Sequence, residues 1–455
     1  MASLAGADAA GGPARPGRTL LLLLVRAAVL GPAAALAATG FVRLTTNTQN
    51  ALWTTVPSWM GYDTAPAWWV PVLLLVGAGL CALFMRLPGG GGPPAVDGFN
   101  FSVGLREVFS VLGAGLATIA FGAVLGPCAV ALAVGTALGY VASWGGPRSG
   151  GAREAERSVL MLSGGLAAFS AILGNPLVLA LLMAEAGLVS RRAGVRPVAL
   201  APVAVTLGLA YVVQVGIADW PGLGTVAITV PDLPAYTDIR AEDLGLALAL
   251  GVVVALLMQG VLTVGRRLVA WGSGRPAVLP LVVAALGTAG VTVGAQWLAG
   301  VPYDLVLFSG QDAIPTLFTE TSLSLVVVAV LAKTAAYALC VGAFRGGPVF
   351  PAVTVGLGVA VAASQVVDGA AMPALAAAAM AAATAAVLRL PFTAALLAVA
   401  LTGSAGLAVT TPALLGAVAG LVTVVALDRR RSESVTGPAG EGDEAPAAEG
   451  RAGSV

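Results

Sequence analysis

Apolar runs long enough to cross a lipid bilayer recur along this 455-residue chain. Only 10% of its residues are charged and 58% are apolar, whereas a water-soluble protein of this size needs far more surface charge. A transmembrane helix takes about 20 mostly apolar residues. The clearest runs are residues 19–42, 65–85, 195–215, 244–264, 278–298, 322–340, 352–367, 372–388 and 407–427. They predict an all-α membrane protein with roughly ten to twelve crossings or half-crossings.

One segment breaks the helical pattern inside an apolar stretch. Residues 342–351 read Gly-Ala-Phe-Arg-Gly-Gly-Pro-Val-Phe-Pro. Hydrocarbon tolerates non-helical backbone only where it is buried in protein or lines a polar path. A helix that starts within the membrane directs free N–H groups and the positive end of its dipole inward. The segment therefore predicts an anion site near Gly346 and Gly347.

The chain also contains an internal repeat. Residues 167–182 correspond without gaps to residues 382–397, at an offset of 215. The Gly-Pro pair at 126–127 corresponds to the pair at 347–348, at an offset of 221. Repeats in membrane transporters often have opposite topologies, and their broken helices meet near the middle of the bilayer. The matched pairs predict two inverted repeats that build one site between them.

These observations divide the chain into five parts. We expect an N-terminal tail at residues 1–18, a first membrane repeat at 19–217 and a linker at 218–243. A second repeat at 244–427 and a disordered tail at 428–455 follow. Arginines after the last apolar run place the C-terminus in the cytoplasm, because positive charge favours the inner side. The chain is predicted to be a multi-pass protein of the plasma membrane.

Three loops resemble the signature loops of the CLC family, the voltage-gated chloride channel family that also contains chloride/proton exchangers. These loops are written GSGIP, GREGP and GGxFxP. Residues 90–94 resemble the first, residues 122–130 the second and residues 342–351 the third, with Gly356 as the downstream glycine. The Phe-Arg-Gly-Gly form of the third loop resembles a divergent bacterial branch of ion-channel proteins.

The resemblance implies a CLC-type fold of tilted, broken helices and a homodimer with one pore in each subunit. The ligand would be chloride or another small anion, held by backbone N–H groups and helix N-termini. The three cysteines lie in apolar runs and suggest no metal site, and no nucleophile–base set appears, so we expect no cofactor, metal, nucleic-acid partner or enzymatic activity. The residues expected along the anion pathway are Gly90, Gly91, Gly92, Gly126, Pro127, Cys128, Ala129, Gly346, Gly347, Val349 and Phe350.

The gating glutamate of the second loop has no counterpart here. The glycines of residues 122–135 place its position at Cys128, and a rival register places it at Leu125. Either residue lacks a carboxylate that could compete with an anion or accept a proton. The serine of the first loop falls at Gly91, so its hydroxyl is also missing.

The groups associated with proton transfer are reduced as well. The family's inner glutamate falls at Ala186, although its neighbour is retained as Glu185, and no tyrosine follows Tyr337 to serve the inner mouth. Pro348 removes one backbone donor from the third loop. These losses predict passive anion conduction without proton coupling. Two alternatives are an exchanger that uses other carboxylates, with Glu185 as the suspect, and a non-conducting membrane protein.

Two cations within apolar surroundings have open roles. Arg345 either attracts anions to the vestibule or pairs with an acid such as Glu320 or Asp368. Lys333 either raises the potential along the anion path or serves as a structural lysine. Charge is costly inside a membrane, so Lys333, like Glu185, is expected to face protein or a cavity.

Overall fold

A computed structural model describes residues 16–98, 103–146, 151–190, 197–217 and 229–435. Within these ranges the chain forms helices and no β-strand. The helices of the first half are α1 (Pro16–Asn50), α2 (Val56–Trp59), α3 (Trp69–Phe84), α4 (Leu105–Ile119), α5 (Cys128–Ala142), α6 (Gly151–Leu173), α7 (Pro176–Ser190) and α8 (Pro197–Gly216). Those of the second half are α9 (Ala241–Gly272), α10 (Val278–Ala299), α11 (Tyr303–Val306), α12 (Ile314–Thr319), α13 (Leu323–Ala343), α14 (Val349–Ser364), α15 (Met372–Leu388), α16 (Pro391–Leu401) and α17 (Thr410–Val435).

The helices fall into long spans and shorter, broken segments. Seven helices of the described residues are long and apolar enough to cross a membrane, and α5 is among them. Helices α7, α14, α15 and α16 are apolar but shorter. Helices α5, α7, α14 and α16 start immediately at or after a proline, which fixes a helical φ and needs no hydrogen bond at that position. Proline therefore sets where these helices begin.

The two halves repeat the same packing. In the first half α1 packs on α6 and α8, α3 on α4, and α5 on α6. In the second half α9 packs on α15 and α17, α10 on α13, and α14 on α15. The halves meet where α3 contacts α10 and α7 contacts α16. The two halves thus share one packing pattern, as expected for two structural repeats.

Equivalent glycines bring equivalent helices close together. A Cβ on Gly135 of α5 would lie 2.1 Å from the carbonyl oxygen of Gly164 in α6. A Cβ on Gly356 of α14 would lie 2.6 Å from the carbonyl oxygen of Ala379 in α15. Both contacts require glycine, because any side chain would collide with the neighbouring backbone. The sequence offsets of the repeat thus reappear as the same helix contact.

The ends of the predicted parts shift in the structure. Helix α17 extends to Val435, so the boundary predicted at residue 428 lies inside a helix. Residues 436–455 and 218–228 lie outside the described part of the chain. The rest of the linker packs on the second repeat, where Tyr236 N–H donates to the Ala405 carbonyl and the Tyr236 hydroxyl donates to Asp243. Burial, helped by Asp243, raises the pKa of Tyr236.

Candidate functional site

The second and third signature loops pair directly. Gly126 N–H donates to the Gly347 carbonyl at 2.8 Å, and Gly347 N–H donates to the Gly126 carbonyl at 2.6 Å. Pro127 caps α5 with φ −77°, and Pro348 caps α14 with φ −85°. The two paired glycines are 221 residues apart, which is the offset of the repeat. Cys128 and Val349 are therefore equivalent positions in the two repeats. The N-termini of α5 and α14 therefore lie side by side.

The pairing uses up two of the expected backbone donors. The N–H groups of Gly126 and Gly347 each donate to the carbonyl of the other residue, so neither is available to a ligand. In α5 the first intrahelical bond runs from Ala131 N–H to the Pro127 carbonyl, so the N–H groups of the three preceding residues have no intrahelical acceptor. Those three residues are Cys128, Ala129 and Val130. In α14 the corresponding donors are Val349 and Phe350, because Pro351 has no N–H.

The first loop spends its donors internally too. Gly90 N–H donates to Leu87, Gly91 N–H to the Ser110 hydroxyl at 2.6 Å, and Gly92 N–H to Gly89. The predicted contribution of Gly90, Gly91 and Gly92 as backbone ligands therefore needs correction. Their φ values are +59°, +75° and +86°, which only glycine adopts readily. The loop supplies a tight turn with no free N–H at these three positions.

Both candidate gate residues are fully buried. Cys128 and Leu125 are each 0% exposed, and Val349 and Phe350 are 1% exposed. A Cβ on Gly347 would lie 2.8 Å from the Cβ of Cys128, so the third loop packs directly against the gate position. The junction of the two helix N-termini is closed by apolar side chains and a thiol. Among the described residues no cluster could hold a metal ion.

Three hydroxyl groups outside the signature motifs hold these loops. Ser110 accepts from Gly91 and donates to the Phe84 carbonyl, while Thr118 accepts from Arg345 N–H. Tyr337 donates to the Pro348 carbonyl at 2.8 Å. Ser110 and Thr118 are eight residues apart in α4 and are the two polar residues that follow Glu107 in this helix. That spacing is the sequence signal that could have identified them.

A cavity of about 20 Å³ lies beside the α5 N-terminus. Its lining brings together the first loop, the first turns of α5 and the third loop. The lining residues are Gly91, Gly92, Pro93, Gly98, Val103, Val111, Ala129, Val130, Ala133, Arg345 and Gly346. The predicted site residues Gly91, Gly92, Ala129 and Gly346 are thereby brought together, whereas Cys128, Val349 and Phe350 are absent from this lining.

Arg345 caps the helix that precedes it. Its Nη1 donates to the carbonyls of Ala343 and Phe344, at 3.2 and 3.4 Å, at the C-terminal end of α13. A cation is favourable there because the last carbonyls of a helix carry partial negative charge. The described residues include no salt bridge from Arg345 to Glu320 or Asp368. The pairing alternative for Arg345 is therefore wrong.

Glu185 caps a helix of the other repeat. Its carboxylate accepts from Phe392 N–H at 3.0 Å, from Thr393 N–H at 2.8 Å and from the Thr393 hydroxyl at 2.7 Å. In the first repeat, Asn175 of the Asn-Pro sequence accepts from Leu177 N–H. The corresponding residue of the second repeat is Leu390, which has no polar side chain. Glu185 thus supplies from α7 the cap that α16 lacks.

Lys333 is a structural cation. Its Nζ donates to the carbonyls of Leu305, Val306 and Leu307, at 3.3, 3.2 and 3.0 Å. An ammonium group carries three donors, and all three find carbonyl partners at the end of α11. The side chain holds this short helix against α13, in agreement with the structural alternative.

Comparison with known proteins assigns the family. The model of the voltage-gated chloride channel family matches residues 93–424, well over half of the chain. The chain belongs to the CLC family. The matched region of this CLC protein contains the complete second and third loops, the first repeat from residue 93 onward and nearly all of the second repeat. Comparison with curated protein sequences gave no match.

Solved structures of the same fold support the assignment. The chain resembles a slow cyanobacterial Cl⁻/H⁺ antiporter with a TM-score of 0.70 and 19% identity, covering 89% of this chain and 95% of that one. It also resembles a CLC-type fluoride/proton antiporter with a TM-score of 0.65 and 17% identity, covering 89% of this chain and 96% of that one. Identity this low establishes the fold alone. The protein is therefore a multi-pass integral membrane protein with CLC architecture.

Proposed function

We propose that this CLC protein conducts chloride or another small anion passively, without coupling to protons. The anion would pass the paired N-termini of α5 and α14, where Cys128, Ala129, Val130, Val349 and Phe350 offer backbone N–H groups. Backbone donors suit conduction because they attract an anion without holding it tightly. Following the family resemblance, the working form would be a homodimer in the plasma membrane with its C-terminus in the cytoplasm.

The observation that carries this proposal is the chemistry of the gate position. Cys128 occupies it in the register that the Gly126–Gly347 pairing supports, and Cys128 is fully buried. A neutral thiol cannot imitate a carboxylate that exchanges places with an anion. Among the described residues, only two carboxylates are buried, Glu185 and Asp243.

Both buried carboxylates are already engaged. Glu185 accepts three hydrogen bonds at the start of α16. Asp243 accepts from Tyr236, Arg240 and the Ala371 N–H group. A proton carrier must release its partners in every cycle, so such engagement favours a structural role. The engagement of both buried carboxylates among the described residues supports the proposal of uncoupled conduction.

Proton exchange is the second candidate, because both solved structures quoted above are antiporters. Flux from proteoliposomes separates the two. Purified protein is reconstituted with a chloride gradient, and chloride and proton movements are recorded together with and without a potassium ionophore. We expect chloride efflux that requires the ionophore, with no uphill proton movement. Proton uptake driven by the chloride gradient would establish exchange, and the absence of any anion flux would indicate a non-conducting protein.

A further inference from the structure

The cavity beside the α5 N-terminus has the size and lining of a small-ion site. A cavity of about 20 Å³ exceeds the roughly 10–15 Å³ that one water molecule needs, so there is space for one particle of about that size. Arg345 is the one charged side chain among its lining residues, and the rest of the lining is glycine, proline, alanine and valine. Burial among such residues strengthens an electrostatic interaction, because little water is present to screen it.

The guanidinium has a donor to spare. Its Nη1 serves the two carbonyls at the end of α13, but its Nε is buried and has no hydrogen-bond partner among the described residues. A buried donor without a partner destabilises a fold unless a ligand or water satisfies it. An anion would do so through a charge-assisted hydrogen bond.

Other donors converge on the same space. Ala129 and Val130 line the cavity, and their N–H groups precede the first intrahelical bond of α5. The positive end of the α5 dipole therefore adds to the charge of Arg345. The loop glycines cannot contribute in the same way, because Gly91 and Gly92 donate within the protein.

We propose that Arg345, with the first turn of α5, forms a binding site for one small monovalent anion in this cavity. This inference rests on the proposed function, since it names a side-chain ligand in the same pathway. The guanidinium takes over the role of the hydroxyl that Gly91 lacks. A fixed positive charge holds an anion more tightly than neutral donors do, so the site favours occupancy over rapid release.

A neighbouring carboxylate opposes this site. Asp97 is exposed, and its charge acts on Arg345. It lies next to Gly98, which lines the cavity. Asp97 therefore lowers the positive potential that an entering anion meets. Removing the arginine and removing the aspartate should change anion affinity in opposite directions.

Chloride-dependent thermal stability of the purified full-length chain tests the site. A ligand that binds only the folded state stabilises it by RT ln(1 + [L]/Kd), so the dependence of the melting temperature on chloride concentration gives the Kd. Potassium chloride is titrated against potassium gluconate at constant ionic strength. We expect Arg345→Gln to raise the apparent Kd for chloride about tenfold and Asp97→Asn to lower it by about threefold, as the charge rule requires. Arg240→Gln, which removes an arginine salt-bridged to Asp243, controls for a general loss of stability and should leave the Kd unchanged.

The outcomes separate this inference from the proposed function. A chloride Kd that is equal in the wild type and in Arg345→Gln would overturn the site, as would a wild type that chloride does not stabilise. Flux measured on the same preparations reports the proposed function. Conduction by the wild type with an unchanged Kd in the variant would retain the function and refute the site. Chloride binding that depends on Arg345, without any flux, would support the site and refute the proposed function.

Discussion

Replacing Glu185 distinguishes a helix cap from a proton carrier. The carboxylate accepts three hydrogen bonds from Phe392 and Thr393, and Glu185 is 6% exposed. Glu185→Gln keeps one oxygen acceptor but points an amide at a backbone donor. Glu185→Ala removes every acceptor and leaves two N–H groups at the start of α16 unpaired. Both changes should destabilise the fold, and alanine should do so more.

The size of the effect follows from the contacts. Hydrogen bonds to a charged group contribute about 1.5–3 kcal/mol each in soluble proteins, whereas side-chain hydrogen bonds in a membrane protein average about 0.6 kcal/mol. Three bonds of about 0.6–1.5 kcal/mol each give about 2–5 kcal/mol for Glu185→Ala. Glu185→Gln should cost about half as much, because one acceptor remains. Thermal or denaturant unfolding in detergent measures these differences.

The first repeat supplies a rescue. Asn175 caps α7 from the residue before Pro176, and Leu390 holds the same place before Pro391 with an extended φ of −123°. Asparagine is a favoured cap in such a position. We expect Leu390→Asn to recover at least half of the stability lost in Glu185→Gln. Leu390→Asn alone should change stability little, since Glu185 already serves the donors.

Proton measurements complete the test. If Glu185 is a cap, anion flux through the variants falls only as far as the folded fraction falls, and the rescue restores it. A proton carrier would behave differently. Glu185→Gln would then abolish chloride-driven proton movement at unchanged stability, and Leu390→Asn could not restore it. That result would refute the structural assignment of Glu185.

Three further predictions concern the loops and their packing. Gly91→Ser, which restores the serine of the family, should destabilise the protein by roughly 1–2 kcal/mol, because φ is +75° and a Cβ would lie 3.0 Å from that of Ala114. The substitution should not tighten chloride binding, and tighter binding would contradict this prediction. Cys128 is 0% exposed, so it should react with small thiol reagents only while anions flow. The Cys128→Ala variant is the control. Rapid labelling of Cys128 in the absence of anion flow would contradict the closed junction. Gly356→Ala should cost about 1–3 kcal/mol in unfolding experiments, because its Cβ would meet a backbone carbonyl at 2.6 Å, and an unchanged stability would contradict that contact.

The fold could be predicted largely from the repeat. Residues related by the sequence repeat have the same local structure. Gly174 and Arg389, which are related by the offset of 215, both have a positive φ, +73° and +60°, where one helix ends and the next begins. Arginine is uncommon at positive φ. The positive φ of Arg389 is explained by its equivalence to Gly174 in the repeat. Repeated local geometry is visible in a sequence because the same turn demands similar residues at the same spacing.

The donors of the site could not be predicted in the same way. The sequence shows that Gly91 and Gly347 are glycines, but it does not show that Ser110 and Gly126 accept their N–H groups. Hydrogen bonds between distant segments depend on tertiary packing, and a loop that looks like a ligand cradle can satisfy itself. The same reason hid the bond between Glu185 and Thr393, 208 residues apart.

The charge distribution of the pathway predicts conduction that hardly depends on pH. Histidine is the side chain that ordinarily titrates between pH 5 and 8, and the chain contains none. The guanidinium of Arg345 stays charged throughout that range. Chloride flux and chloride affinity should therefore change less than about twofold between pH 5.5 and 8, because the residues that line the cavity include no histidine and no carboxylate. A steep pH dependence in proteoliposomes would mean that a titrating group controls the pathway, and it would favour proton exchange over passive conduction.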